Sequence, residues 1–243
     1  MLKRILYGII LILMSARAGV PQPASITPGI EWLIANQNAD KSWGGVSSSA
    51  TPFNTTAASV STLRICGNTG SAAVDGLNWL NGQTVDSVNF AADRLLTSAI
   101  AGLDTTSDRS KIVAWKNNIE GSWGLDGEYA NDIIEIAFAL QALKAANYSD
   151  ATVLYQAINF LTTNQHSDGG WGFTSSDSSN TYVTAMVLRS LSGYSSQFSV
   201  QSSINNAAAF LLAKQTQNND GGFGSSPSTV YETALSVVLA TSL

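Results

Sequence analysis

Two acidic side chains stand three residues apart in the segment Asn131-Asp132-Ile133-Ile134-Glu135. Residues at this spacing share one face of a helix, so Asp132 and Glu135 could form a carboxylate pair for general acid chemistry. The alternative is that they are ordinary acids at a helix N-terminus, where the helix dipole favours negative charge. Because such acids are common, the second interpretation is favoured and the pair are catalytic candidates only.

Other residues that often carry chemistry are few. His166 is the only histidine, and it stands beside Ser167 and Asp168 in a Gly-rich segment. We interpret it as a surface histidine in a turn rather than as part of a nucleophilic triad. Cys66 is the only cysteine, so no intrachain disulfide can form. The Ser/Asp segment 175–177 does not match an EF-hand and is interpreted as a solvated loop rather than a calcium site.

A repeated unit determines where these residues lie. In its fullest form, an apolar helix ends in Phe160-Leu161, Gln165 follows, a Gly-rich turn carries Trp171, and a second helix begins. Five anchor aromatics recur at intervals of 36 to 50 residues, namely Trp32, Trp79, Trp115, Phe160 and Phe210. This spacing predicts one helical hairpin per repeat, and therefore five hairpins with ten helices.

Apolar periodicity and turn residues place the helices within each repeat. The first helix is expected to begin near Thr27 as its cap, with Pro28 in the first helical position. The second helices of the first three units are expected to cover about residues 54–65, 90–103 and 133–146. The run 182–187 is rich in strand-forming residues, but its apolar positions recur at i, i+3 and i+4, so we predict a helix.

The turns are predicted to act as structural clamps. The pairs Asp168-Gly169 and Asp220-Gly221 supply the positive φ that a reversal between antiparallel helices needs. The aromatic after each pair can then fold back against the preceding helix. The glutamine before it can bond to backbone groups of the turn or of the next helix end.

The repeat resembles the Gln-Trp repeat of squalene-hopene cyclases and related triterpene cyclases. In that repeat an aromatic-Leu pair precedes Gln and then Gly-x-Trp. The segments that match it are Phe160-Leu161, Gln165 and Gly169-Gly170-Trp171; Phe210-Leu211, Gln215 and Gly221-Gly222-Phe223; and Trp32-Leu33, Gln37 and Trp43, with Lys41 where the glycine should be. Looser versions occur in β-subunits of protein prenyltransferases, complement-type thioester domains and cobalamin carriers.

The resemblance covers nearly all of the chain after about residue 28. It implies an all-α fold, an α/α toroid with an inner ring of helices inside an outer ring. Five hairpins are fewer than the six that close the related rings. We therefore expect either a tighter ring or an open gap, which a partner, a further domain or an edge-to-edge second copy would cover.

The chemical motifs of the related families are missing from the sequence. The Asp-x-Asp-Asp acid of class II terpene cyclases is absent, and so is the Cys-Gly-Glu-Gln of thioester domains. Aligning the repeats places Glu232 where protein prenyltransferases have their zinc histidine. The sequence therefore predicts no metal and no cofactor.

One constellation remains as a candidate site. Superposing the second helices brings Glu135 and Glu232 to equivalent positions, with Thr55 and Val183 in the other repeats. The candidate ligand-binding residues on these helices are Glu135, Phe138, Tyr182, Tyr231 and Glu232. They would line a central cavity for a small, partly apolar or cationic ligand. Asp132, Glu135 and Glu232 are the catalytic candidates, and the alternative is a closed core with the glutamates at its wet rim.

The N-terminus is predicted to be an export signal. A basic start at Lys3 and Arg4, an apolar run and a small-residue site indicate cleavage after Ala18. An uncleaved anchor is the alternative. We expect a signal peptide over residues 1–18, a linker over 19–28 and one repeat domain over 29–243, secreted or periplasmic. Only 12% of residues are charged and the net charge is −5, which argues against nucleic acid or an anionic membrane as partner.

These expectations favour an exported repeat domain without catalytic activity that binds a small ligand or a protein partner. One alternative is a terpene-cyclase-type enzyme whose acid lies outside the usual motif. A second alternative is a structural spacer of an envelope protein. The scaffold by itself does not separate them, because unrelated activities share one fold.

Overall fold

The structure is a computed structural model that describes residues 26–45, 51–117, 123–124, 132–218, 220–224, 228–229, 232–233 and 236. Within these residues there are nine helices and no strands. The helices are α1 (Thr27–Ala35), α2 (Pro52–Ile65), α3 (Ser71–Asn81), α4 (Val88–Ala101), α5 (Thr106–Ala114), α6 (Ile133–Ala145), α7 (Ala151–Thr163), α8 (Thr181–Ser192) and α9 (Gln201–Asn218). The predicted all-α class is confirmed, and so is the helix over 182–187.

Three helix starts differ from the predicted ones, and one of them is that of α4, which begins at Val88 rather than near residue 90. The N-cap position of α1 is Ile26 rather than Thr27, and it offers no side-chain hydrogen bond. Helix α2 begins at Pro52, two residues earlier than expected, because Thr51 caps it by accepting from the Asn54 amide at 3.2 Å. Proline fits this first turn since it has no N–H to lose there.

The chain packs as two compact units. One comprises residues 1–86 and 90–109, and the other comprises residues 87–89 and 110–243. In the first unit, α2 and α3 pack against each other. In the second unit, α8 packs against both α6 and α9, and α6 also packs against α7.

In the first unit, α2 and α4 run parallel. Their contacts follow the same order along both helices, from the Phe53–Phe90 ring stack at 4.5 Å, through Ser61–Thr97 at 3.0 Å, to Arg64 donating to the Ala101 carbonyl at 2.9 Å. Polar side chains therefore join these second helices where the apolar stack ends.

In the second unit, α6 and α8 also run parallel. The Ser190 hydroxyl donates to the Ala137 carbonyl at 2.8 Å, and the Tyr194 hydroxyl donates to the Leu140 carbonyl at 2.9 Å. Helix α6 buries nine of its 13 residues and α8 nine of its 12. Two first helices of the same unit, α7 and α9, bury only four residues each. The second helices are therefore the inner elements of this unit, as the sequence predicted.

The turn between the two helices of a hairpin is held by the predicted clamp. In the fourth repeat the Trp171 indole donates to the Leu161 carbonyl at 2.8 Å, and the Trp171 amide donates to Thr184 Oγ1 at 3.0 Å. The side-chain amide of Gln165 donates to the Gly169 carbonyl at 2.8 Å and to the Ser203 carbonyl at 2.9 Å. It thus ties its own turn to the first helix of the next repeat.

Positive φ occurs where the Asp-Gly pairs predict it. Gly169 has φ +89° and Gly221 has φ +79°. At the corresponding point of the first repeat, Lys41 adopts φ +77°. The clamp therefore imposes the same backbone conformation whether or not the residue is glycine.

Candidate functional site

The candidate residues lie at the starts of the second helices, and one hydrogen bond sets their register. The amide of each cap residue donates to the carbonyl of the turn aromatic: Asp132 to Trp123 at 3.0 Å, Asn180 to Trp171 at 2.8 Å and Thr229 to Phe223 at 3.1 Å. The residues three positions further on are Glu135, Val183 and Glu232. The structure thus supports the equivalence of Glu135 and Glu232.

Asp132 serves as the cap of α6. Its carboxylate accepts from the Ile134 amide at 3.0 Å, which satisfies one of the amides that a helix start leaves free. Burial raises the pKa of Asp132, the hydrogen bond from Ile134 opposes that rise, and the charge of Asp177 adds to it. The residue precedes the helix instead of sharing a helical face with Glu135.

Glu135 lies in the first turn of α6 and is buried, with 5% of its surface exposed. Ile134 and Ile136 on either side of it are also buried. Phe138 follows one turn later and is half-buried. Tyr182, also half-buried, is the second residue of α8, the helix that packs on α6.

Glu232 has a different role at the equivalent position. Its carboxylate accepts from the Thr229 hydroxyl at 2.7 Å, and its amide donates to the same oxygen at 3.1 Å. The spacing is that of a capping box, but only one of its two bonds is made, because the Thr229 backbone amide donates to the Phe223 carbonyl instead of to Glu232. A Cβ on Gly224 would lie 2.7 Å from Glu232 Oε2, so the glycine makes room for the carboxylate. Tyr231 lies outside the described residues.

The comparisons with known proteins can now be set beside this geometry. The family model for the squalene-hopene cyclase C-terminal domain matches residues 139–241. This segment is a squalene-hopene cyclase-like domain. The predicted resemblance to the terpene cyclase-like repeat superfamily is confirmed over these residues. No curated protein matches the chain.

A crystal structure of a protein from Actinoplanes is similar in fold to the whole chain. The identity is 14%, the match covers 99% of this chain and 88% of that chain, and the TM-score is 0.67. Together with the helix content, this likeness confirms an all-α fold of the α/α-toroid class. None of the helices in the described part of the chain combines the length and the hydropathy that a membrane span requires.

His166 belongs to the squalene-hopene cyclase-like domain and is tied into its turn. Its Nδ1 lies 3.0 Å from Ser179 Oγ, and its Nε2 lies 3.2 Å from the Ser175 carbonyl oxygen. Ser179 donates to Asp168 at 2.8 Å. Burial works to raise the pKa of Asp168, but hydrogen bonds from Gly170 and Ser179 hold that pKa below its usual value. The serine lies between acid and histidine, whereas a nucleophilic triad places the histidine between them.

The Ser/Asp loop of the same domain also uses its acid internally. Asp177 accepts from both the amide and the hydroxyl of Thr174, each at 2.9 Å. Within the described ranges, no three side chains of His, Cys, Asp or Glu lie close enough together to hold a metal ion.

Two cavities open on the surface of this second unit. One, of about 450 Å³, lies between the end of α6 and the link that follows α8, and Lys144, Tyr148, Leu154 and Phe198 help to line it. The other, of about 360 Å³, lies beside α9 and is lined in part by Asp168, Phe210 and Lys214. Neither cavity is lined by Glu135, Phe138, Tyr182 or Glu232.

Sequence analysis did not single out two charged residues of α4, in the first unit. Arg94 forms a bidentate pair with Asp108, at 2.8 and 2.7 Å. The Asp93 carboxylate accepts from the side-chain amide of Asn54 at 2.7 Å, and burial raises the pKa of Asp93 to about 6. The sequence did contain a signal for these contacts. Two adjacent charged residues lie in a helix that is otherwise uncharged, and buried charges need partners.

Proposed function

We propose that the chain is an exported repeat domain without catalytic activity, which binds a small, partly apolar or cationic ligand at the starts of its second helices. One observation carries the proposal. The carboxylate of Asp132 caps the start of α6, which carries the half-buried ring of Phe138, and the half-buried ring of Tyr182 lies at the start of α8, the helix that packs on α6. Aromatic faces together with carboxylates suit an organic cation.

Binding is tested with benzyltrimethylammonium, a probe that carries both an aromatic ring and a fixed positive charge. Isothermal titration of the purified protein should give saturable binding. Glu135→Gln should weaken that binding about tenfold or more, since it removes the buried charge that faces a cation. Glu31→Gln alters an exposed acid of α1 and is the matched control. Equal affinity in both variants, or no saturable binding at all, would contradict the proposed ligand class.

A terpene-cyclase-type activity is the second candidate, and the burial of Glu135 favours it. Alkene protonation needs a carboxyl group in a site that excludes water, and Glu135 is a buried carboxyl group. The protein should therefore be incubated with squalene and the extract analysed by gas chromatography and mass spectrometry. We expect unchanged squalene. A cyclised product that disappears in Glu135→Gln would overturn the non-catalytic proposal.

Export is tested separately from binding. The full sequence should be expressed with its own N-terminus in a bacterial host, and the intact mass measured in each cell fraction. We expect periplasmic protein that begins at Gly19. Membrane-bound protein with an intact N-terminus would indicate an anchor instead. Exported protein that neither binds the probe nor converts squalene would favour the envelope spacer.

A further inference from the structure

Neighbouring repeats meet through a recurring two-sided contact. One side is the turn, which offers its glutamine and its left-handed residue. Gln37 donates to the Ala72 carbonyl at 3.0 Å, and Gln165 donates to the Ser203 carbonyl at 2.9 Å. Both acceptors lie in the first turn of the next repeat's first helix, seven residues before its anchor aromatic. We call this side the turn face.

The other side is the first helix of the following repeat, which brings its anchor aromatic onto that turn. Phe210 of α9 has a ring carbon 3.0 Å from where a Cβ of Gly170 would lie. In the first unit, α3, the helix that carries Trp79, lies against the first turn: its Asp75 pairs with Lys41 at 3.2 Å, and a Cβ on its Gly76 would lie 2.6 Å from the Trp43 ring. We call this side the anchor face.

The first repeat has an anchor face that no described repeat covers. Helix α1 buries none of its residues. Trp32, its anchor aromatic, is 63% exposed, whereas Phe210 at the same position of α9 is 4% exposed. Trp79, Trp115 and Phe160 are half-buried. Trp32 is therefore the one anchor aromatic that is largely open to solvent.

The last described turn has an open turn face. Gln215 donates to the Gly221 carbonyl at 2.8 Å and has no second acceptor among the described residues. A Cβ on Gly221 would meet no atom within 4 Å, whereas a Cβ on Gly169 would lie 2.4 Å from the Asn206 carbonyl oxygen of α9. Among the described residues, no helix lies against Gly221 as α9 lies against Gly169.

We propose that the two open faces bind each other between copies of this chain. The anchor face around Trp32 of one copy docks on the turn face of residues 215–224 of a second copy, and it reproduces the contact between successive repeats. Such an interface is head-to-tail, so it forms a closed ring of copies or a growing chain. The inference is independent of the ligand proposed above.

The first test measures mass against protein concentration by analytical ultracentrifugation. Wild-type protein should show a rising average mass, and Trp32→Ser should remain monomeric. Tyr155→Ser removes another exposed aromatic, 58% exposed on α7, and should associate like the wild type. Far-UV circular dichroism confirms that each variant is folded. A wild-type mass that stays monomeric throughout, or equal loss in both variants, would overturn the proposal.

A charge pair offers a rescue experiment. In the first unit, Lys41 at the left-handed turn position pairs with Asp75 of α3 at 3.2 Å. The equivalent positions of the two open faces are Gly221 and Pro28, four residues before Trp32. Gly221→Lys should abolish association, because it places an unpaired charge in the interface. Adding Pro28→Asp should restore association, and the restored association should be weaker in high salt. Failure of the rescue in folded protein would contradict the proposed register.

Cross-linking distinguishes a second copy from the chain's own end. Pro28→Cys and Gly221→Cys are made as separate proteins, each also carrying Cys66→Ser, because a Cβ at the equivalent Gly169 would lie 3.3 Å from the Cβ of Asn206, which is four residues before its anchor aromatic. Oxidation of their mixture should yield a disulfide heterodimer, and neither protein alone should form a disulfide-linked dimer. With both cysteines in one chain, a cross-linked monomer at low concentration and no heterodimer from the mixture would show that the faces meet within one copy, which would overturn the proposal.

Discussion

The turns around Trp43 and Trp171 differ in sequence but make the same hydrogen bonds. Trp43 donates to the Leu33 carbonyl at 2.7 Å, and Trp171 donates to the Leu161 carbonyl at 2.8 Å. In each turn a glutamine reaches both its own turn and the next first helix. The turns differ at the left-handed position, where Lys41 stands in the place that Gly169 fills in the later repeat.

The neighbouring helix explains this difference. A side chain at residue 169 would collide with the backbone of Asn206 in α9, so only glycine fits there. Lys41 is exposed and reaches Asp75 instead. The clamp therefore fixes the backbone, and the next helix decides which side chain that backbone can carry. Substitutions that remove the shared hydrogen bonds should therefore destabilise both turns alike, whereas substitutions at the left-handed position should affect the two turns differently.

Removing the turn aromatic should have the largest effect. Trp171 is fully buried, so Trp171→Ala should lower the free energy of unfolding by about 3–5 kcal/mol. Denaturant unfolding followed by circular dichroism measures this change. Trp171→Phe is the matched control, because Phe223 fills the same place in the last turn. It should cost about 1–3 kcal/mol, mainly from the Leu161 carbonyl that it leaves without a donor. Equal costs would show that the indole bond, not the ring, dominates.

Replacing glycine by alanine at the left-handed position should have the second-largest effect on stability. Gly169→Ala combines left-handed strain of about 1–2 kcal/mol with a backbone collision. Gly221→Ala carries only the strain in a single copy, since no atom lies within 4 Å of the new Cβ. Thermal unfolding at low protein concentration should therefore show the larger loss for Gly169→Ala. Equal losses would mean that Asn206 moves aside and that the next helix does not select glycine.

The glutamine should contribute less, in proportion to its bonds. Gln165→Ala removes two hydrogen bonds and should cost about 1–3 kcal/mol, whereas Gln215→Ala removes the one to Gly221 and should cost about half as much. Urea unfolding of the two variants tests the ratio. A larger cost for Gln215→Ala would contradict the role assigned to the bond between repeats.

The sequence was sufficient to predict the clamp because its parts are local. Gln165, the Asp-Gly pair and Trp171 lie within seven residues, and their donors and acceptors have few other partners in reach. The equivalence of Glu135 and Glu232 was also predictable, since it depends only on repeat register. Their different surroundings were not. Burial of Glu135 depends on tertiary packing around α6, which no local pattern encodes.

Some of what was missed had a signal in the sequence. Thr229 and Glu232 have the spacing of a capping box, which identifies a helix start without reference to any site. The adjacent charges Asp93 and Arg94 interrupt an apolar helix and so imply buried partners. The partner of Arg94, Asp108, lies 14 residues further along the chain, at a distance that only the fold sets.

Relieving the strain at the first turn should have the smallest effect. Lys41→Gly removes left-handed strain of about 1 kcal/mol. It also loses the ion pair with Asp75, which is worth less because both side chains are in contact with solvent. Lys41→Ala loses the same pair and keeps the strained backbone, so it isolates the conformational contribution. Lys41→Gly should therefore have a larger free energy of unfolding than Lys41→Ala, as measured by denaturant unfolding. The difference should be up to about 1 kcal/mol once the greater freedom of glycine in the unfolded chain is included. If Lys41→Ala were the more stable variant, the left-handed strain would be minor there, and the clamp bonds alone would account for the backbone at this turn.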